Sequence, residues 1–83
     1  MKIKGADDML IKLGGSIRDI RVKRDITQAR LAELCHIQKS SISRIEAGKS
    51  NITMATLYSI AIALEVELED FFNKQNKQVE KIS

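Results

Sequence analysis

The chain has no proline, no tryptophan and only one cysteine, Cys35, among its 83 residues. One cysteine cannot form a disulfide within the chain, and a lone thiol is consistent with a reducing compartment. With no proline and only four glycines, the composition favours helix. Stability must therefore come from a small core packed between helices.

Long apolar runs are also missing. No stretch approaches the roughly 18 residues of a membrane span, and the N-terminal MKIKGADDML lacks the apolar region of a signal peptide. We therefore expect a soluble cytoplasmic protein with no membrane partner. Its length predicts a single domain over residues 1–83, with a core at about 8–73 and a polar tail at 74–83.

Positive charge is concentrated in the first part of the chain. Residues 1–50 hold 11 Lys/Arg against 6 Asp/Glu, whereas residues 51–83 hold 3 against 5. Clustered positive charge is typical of proteins that bind phosphate-rich partners such as nucleic acid.

Apolar spacing predicts helices, and no segment shows the sustained alternation of a strand. A first helix has an apolar face with spacings of 3, 4 and 3, formed by Leu10, Leu13, Ile17 and Ile20. Asp7 or Asp8 can cap its start. Because Gly14 and Gly15 each cost a helix about 1 kcal/mol, we expect irregular first turns.

The segment from Thr27 to Gly48 predicts two short helices joined by a tight turn. Thr27 caps the second helix, and Gly48 ends a third helix that runs from about Gln38 to Ala47. Their predicted inward-facing residues are Leu31, Leu34, Ile42 and Ile45. This is the layout of a helix-turn-helix, which places its second helix in the major groove of DNA.

The remaining helices complete the core. Thr53 is predicted to cap a fourth helix, and a short fifth helix is predicted from about Glu67 to Asn73, packing Leu68 and Phe71. The inner face of the fourth helix is formed by Leu57, Ile60, Ala61 and Leu64. The sequence thus predicts a compact, all-α, five-helix domain.

Four motifs appear in order: IRDIR, TQARLAEL, SSISRIEAG and TLYSIAIALEVELEDFF. Through them the chain resembles the xenobiotic-response-element helix-turn-helix family, which includes phage repressors and Cro, over about Leu13 to Phe72. The resemblance implies a lambda-repressor-like fold and a transcriptional regulator that binds double-stranded DNA. The short length and the sequence EAGKSNIT are also similar to restriction-modification controller proteins.

Four positions depart from the family pattern. His36 stands where the turn usually has glycine, and Gln38 stands where serine or threonine usually caps the third helix. Ile52 replaces a common proline, and Glu65 replaces a common glycine or asparagine. A left-handed conformation is more tolerable for histidine than for β-branched residues, so these departures concern turn geometry rather than the fold.

Recognition helices present their N-terminal residues to base edges. The candidates for base contact are Lys39, Ser40, Ser43 and Arg44. Lys39 and Arg44 can donate to guanine O6 and N7, and serine can serve several bases. The alternative is that both cations contact only phosphate or solvent.

The resemblance implies that Gln28 contacts a phosphate and braces the recognition helix. Further phosphate candidates at the edges of the motif are Ser41, Lys49, Ser50 and Asn51. For Lys49 and Asn51 the alternative is a solvated loop. The family pattern pairs Arg21 with Glu46 as a structural ion pair. Such a pair is physically reasonable because a lone carboxylate there would repel phosphate.

The fourth helix carries apolar residues beyond its core face. Met54, Tyr58 and Ile62 are spaced by four, and Phe72 adds to them. An excess apolar patch predicts a partner surface, and we expect a homodimer that reads a palindromic operator. The alternative is that Tyr58 and Ile62 widen the core.

Catalysis is not expected. Cys35 and His36 are too few for a zinc site, and no general base stands beside a plausible nucleophile. We expect no metal, no cofactor and no small-molecule ligand. The alternative function is an antitoxin-like or other protein-interaction module in which DNA binding is secondary, but the cationic recognition face favours a transcriptional regulator.

Overall fold

The computed structural model describes residues 4–72, and it describes side chains from residue 8 onward. The elements are α1 (Lys4–Lys23), α2 (Gln28–Cys35), α3 (Lys39–Glu46), α4 (Met54–Leu64) and a 3₁₀ helix (Leu68–Phe71). Residues 4–72 contain no strand, so the predicted all-α class is confirmed. The polar tail predicted at 74–83 lies outside the described residues.

The described residues form four α-helices, so the prediction of five helices is wrong. In place of the fifth, Leu68–Phe71 makes a single 3₁₀ turn, and the predicted end at Asn73 lies outside the described residues. Its backbone closes through bonds between residues three apart, such as Asp70 N to Glu67 O at 2.9 Å. So short a segment cannot offset the cost of nucleating an α-helix. It is held instead by Phe71, which is only 2% exposed in the core.

Helix α1 differs from its prediction at its start and at its glycines. It extends back to Lys4, so Asp7 and Asp8 lie within it and do not cap it. It also continues through Gly14 and Gly15 without a break. Gly14 lies where α1 meets the end of α3, and a Cβ there would lie 2.7 Å from the carbonyl oxygen of Glu46. The glycine therefore allows the two backbones to come into contact.

Two of the predicted caps are confirmed. The Oγ1 atoms of Thr27 and Thr53 each accept a hydrogen bond from the backbone N–H three residues on, at 3.0 and 3.1 Å. Gln38 is the N-cap of α3 but makes no side-chain cap bond. The amide side chain is thus the weaker cap that its residue type predicts.

Left-handed turns end α2 and α4 even though neither has a glycine. His36 has φ 59° and ψ 39°, and Glu65 has φ 61° and ψ 44°. Their N–H groups donate to the last carbonyls of the preceding helices, which is the usual role of a left-handed cap. The turn geometry is therefore retained, at a steric cost of about 1–2 kcal/mol for each residue.

All four α-helices and the 3₁₀ helix contribute to one core. It consists of Leu13, Ile17, Leu31, Ala32, Ile42, Ile45, Leu57, Ile60, Ala61, Leu64 and Phe71. The prediction that Leu34 faces inward is wrong, because its side chain is 39% exposed. The inner face of α2 passes through Gln28, Leu31 and Ala32 to Cys35, and this period leaves Leu34 at its edge. Within residues 4–72, no helix is long and apolar enough to cross a membrane.

Candidate nucleic-acid interface

Helix α3 separates its apolar and polar residues onto opposite sides. Ile42 and Ile45 are buried and fix the helix to the core. The structure brings together four exposed side chains on the solvent side, namely Lys39, Ser40, Ser43 and Arg44. Their spacing of one, three and one residues keeps them on one helical face. All four predicted base-contacting residues thus share a single accessible surface, which we call the α3 face.

The loop after α3 is tied to that helix and to α1. Lys49 N donates to Arg44 O at 2.9 Å, and Arg44 Nη2 donates to Lys49 O at 3.4 Å. Gly48 has φ +73°, and a Cβ there would lie 2.8 Å from the Cα of Ile11. The loop therefore leaves α3 in a direction that only a glycine accommodates easily.

The predicted phosphate-contacting residues lie in three places. Lys49 and Asn51 are exposed in the loop, with the half-buried Ser50 between them. Ser41 is half-buried on α3, and Gln28 is half-buried at the first position of α2. In the chain, Gln28 precedes the α3 face, the loop residues follow it, and Ser41 lies within the stretch that forms it.

Arg21 and Glu46 form a buried ion pair that joins α1 to the end of α3. Arg21 Nε donates to Glu46 Oε2 at 2.6 Å, and Arg21 Nη2 donates to Glu46 Oε1 at 3.1 Å. The two side chains are 11% and 3% exposed. Gln28 Nε2 also donates to Glu46 Oε1, at 3.0 Å. The sequence contained no signal for this contact beyond the expectation that Gln28 braces the recognition helix.

Three ion pairs are present in the part of the chain that the structure describes. They join Arg21 to Glu46, Arg24 to Glu65 and Arg30 to Glu33. None of these pairs involves Lys39, Arg44 or Lys49. The cations of the α3 face and its loop are thus left without a carboxylate partner among residues 8–72, so no neighbouring carboxylate neutralises their positive charge.

A second surface is apolar. Met54, Tyr58, Ile62 and Phe72 are 66%, 57%, 58% and 51% exposed. The first three lie along α4 at intervals of one helical turn. Because Tyr58 and Ile62 are exposed, they do not widen the core of a single chain. We call these four residues the α4 stripe.

Cys35 and His36 sit at the end of α2 without forming a site. Cys35 is half-buried against the core, and burial raises the pKa of its thiol above the ordinary value. His36 is exposed in the turn. Within residues 8–72, no three His, Cys, Asp or Glu side chains gather where they could hold a metal ion.

A family model described as Helix-turn-helix, HTH_3, matches residues 17–71. The control protein C.MunI of a Mycoplasma species is 27% identical over 73 residues, which cover 87% of this chain and 99% of that protein. The transcriptional regulator SutR of Escherichia coli K12 is 33% identical over 61 residues, which cover 74% of this chain but only 34% of SutR.

A solved structure has a similar fold. The crystal structure of the restriction-modification controller protein C.AhdI from Aeromonas hydrophila has a TM-score of 0.77 to this chain at 27% identity. The match covers 80% of this chain and 96% of C.AhdI. The resemblance drawn from the sequence motifs is thereby confirmed.

Proposed function

The chain belongs to the helix-turn-helix family of the XRE and Cro type, and on that premise we propose that it is a transcriptional regulator. In this proposal it binds double-stranded DNA sequence-specifically as a homodimer on a palindromic operator. The observation that carries the proposal is the α3 face, which presents Lys39, Ser40, Ser43 and Arg44 on a helix fixed to the core.

The α3 face reads bases. Lys39 lies at the first turn of α3, where recognition helices approach the groove, and Arg44 lies one turn on from Ser40. Both can donate to guanine O6 and N7, and each good bidentate contact discriminates between bases by about 1–3 kcal/mol. Neither Lys39 nor Arg44 has to break an ion pair with a carboxylate of residues 8–72 before it contacts a base.

Phosphate contacts orient α3 in the groove. Gln28 stands at the start of α2, while Lys49, Ser50 and Asn51 follow the end of α3, and Ser41 lies between them. Contacts to phosphate carry no sequence information but fix the register of the protein on the duplex. The ties between Arg44 and Lys49 favour this role because they hold the loop against α3.

The α4 stripe supports the homodimer. Four apolar side chains, each more than half exposed and three of them one helical turn apart on α4, are unfavourable in water unless a partner covers them. A two-fold pair of these surfaces would present two α3 faces, as palindromic half-sites about 34–36 Å apart require. The same stripe would also suit the alternative of an antitoxin-like module that binds a different protein.

The relatives favour a narrower proposal, that this chain is a controller of a restriction-modification system. C.MunI is matched over 99% of its length and C.AhdI over 96%. A regulator that controls its own gene would bind DNA just upstream of that gene. The duplex upstream of the gene for this chain is therefore the first probe.

The test is a series of gel shifts on that upstream duplex and on an unrelated duplex across salt concentrations. Binding should weaken with salt, with a log–log slope of about −0.9 for each neutralised phosphate. Lys39→Ala and Arg44→Ala should reduce the preference for the upstream duplex, whereas Lys12→Ala, which removes an exposed charge on α1, should not. Unaltered preference in both α3 variants would refute the base contacts.

A further inference from the structure

The Gln28 side chain is held by a carboxylate that is itself almost fully enclosed. Glu46 accepts three hydrogen bonds: two come from Arg21, at 2.6 and 3.1 Å, and one comes from Gln28 Nε2, at 3.0 Å. The Glu46 side chain is 3% exposed, so these protein donors take the place of water. Gln28 is only half-buried, so part of this residue remains accessible.

The chemistry of Glu46 determines which way the Gln28 amide points. An ionised carboxylate only accepts hydrogen bonds, whereas an amide has an accepting oxygen and a donating nitrogen. Gln28 must therefore turn its nitrogen, not its oxygen, toward Glu46. An amide nitrogen carries two N–H groups, so the second remains for another acceptor.

Arg21 also fixes the backbone that leads into α2. Its Nη1 donates to Ile26 O at 2.7 Å, and Ile26 N donates back to Arg21 O at 3.1 Å. Ile26 lies two residues before Gln28. Arg21 therefore holds the backbone just before α2, while Glu46 holds the amide at the first position of that helix.

We propose that Glu46 is a positioning residue for DNA binding, which presents the second N–H of the Gln28 amide to a backbone phosphate. The proposal rests on the proposed function and deepens it. It gives Glu46 a role beyond the ion pair, which is to orient the Gln28 amide before DNA binds. The entropy cost of ordering that side chain is then not added to the cost of binding DNA.

The test is a double-mutant cycle in DNA affinity, with Gln28→Ala and Glu46→Gln made singly and together. With Glu46 present, Gln28→Ala should weaken binding about 10-fold, as expected for a lost hydrogen bond to a charged acceptor. In the Glu46→Gln background the new amide can both donate and accept, so it no longer dictates the rotation of Gln28. There the same change should cost about 2-fold. An equal cost in both backgrounds overturns the proposal, because a purely structural role lowers affinity without this coupling.

The cycle separates a positioned phosphate contact from a change in overall charge and from a base contact. Glu46→Gln removes a negative charge, but this charge effect is the same whether residue 28 is glutamine or alanine, so it cancels in the cycle. Because the contact is to phosphate, Gln28→Ala should weaken binding to the upstream and unrelated duplexes by the same factor. Unequal factors would mean that Gln28 reads bases, and this too would overturn the proposal.

A second measurement covers the case in which Glu46→Gln does not fold. In the wild-type protein, nuclear magnetic resonance resolves the side-chain amide protons of Gln28 and of Gln38, an exposed glutamine with no cap bond. Hydrogen exchange at the Gln28 amide should be slower than at Gln38. Equal exchange rates would show that Glu46 does not hold the amide, and the proposal would fail.

The outcomes also separate this proposal from the proposed function. If the wild-type protein shows no salt-dependent binding to either duplex, the function as a DNA-binding regulator fails. If it binds both duplexes but the cycle shows no coupling, the regulator remains and the role of Glu46 fails.

Discussion

Two adjacent glycines in α1 should respond in opposite directions to the same substitution. Helix propensity alone predicts that replacing Gly14 or Gly15 with alanine stabilises α1 by about 1 kcal/mol. A Cβ on Gly15 meets nothing within 4 Å. A Cβ on Gly14 would contact the carbonyl oxygen of Ile45 and lie 2.7 Å from that of Glu46. Only Gly15→Ala should therefore be stabilised by the full amount that helix propensity predicts.

The size of the difference follows from the rigidity of the neighbours of Gly14. Both contacts are backbone atoms at the end of α3, and neither can rotate away as a side chain could. Forcing extra atoms into a packed site costs about 1–3 kcal/mol. For a domain of this size each 1 kcal/mol changes Tm by roughly 4–8 °C, so Gly14→Ala should melt well below Gly15→Ala.

Thermal and urea unfolding, followed by circular dichroism, measure this difference. Gly15→Ala is the matched control, since it makes the same chemical change one residue away on the same helix. If the two variants are stabilised equally, α1 and α3 are not in backbone contact at Gly14. Close packing against α3 would then not explain the glycine in the middle of α1.

Other residues give shorter tests. His36→Gly should raise stability by about 1 kcal/mol because glycine adopts φ > 0 without strain, whereas His36→Val should lower it, and thermal melts would check both. Tyr58→Ser together with Ile62→Ser should shift a dimer to a monomer in analytical ultracentrifugation with the fold unchanged, and a monomeric wild type would contradict the role of the α4 stripe. Because burial raises the pKa of Cys35, the thiol ionises at a lower pH in the unfolded chain than in the folded one. The folded protein should therefore lose stability as pH rises above about 8.5, and Cys35→Ala should remove that loss.

Local chemistry explains why parts of the fold could be predicted. Thr27 and Thr53 cap helices through their own neighbours in sequence, so residue type and position sufficed. The core positions of α3 and α4 follow from helical period for the same reason. The left-handed turn at His36 could be expected only through the family pattern, because the residue itself does not favour it.

The errors arise where distant residues decide the structure. From the sequence alone, Gly14 predicts only a less stable helix, because its contact with the backbone of α3 depends on residues 45 and 46. Leu34 follows Leu31 by three residues, yet α2 is rotated so that Ala32 is buried beside Leu31 and Leu34 is exposed. The bond from Gln28 to Glu46 spans 18 residues, and the sequence indicated it only through the expectation that Gln28 braces the recognition helix.

The short length of α3 has a consequence for how much information one chain can extract from DNA. Eight residues make a helix about 12 Å long, so one copy reaches only a few base pairs. A genome offers about 10⁶–10⁹ competing sites, and each correctly read pair contributes only about 1–3 kcal/mol against them. When a second copy binds the same duplex, its free energies of base discrimination add to those of the first. The ratios of specific to non-specific affinity of the two copies are then multiplied. For a regulator with so small a reading surface, the proposed pairing of two copies would make a single genomic site distinguishable from its competitors.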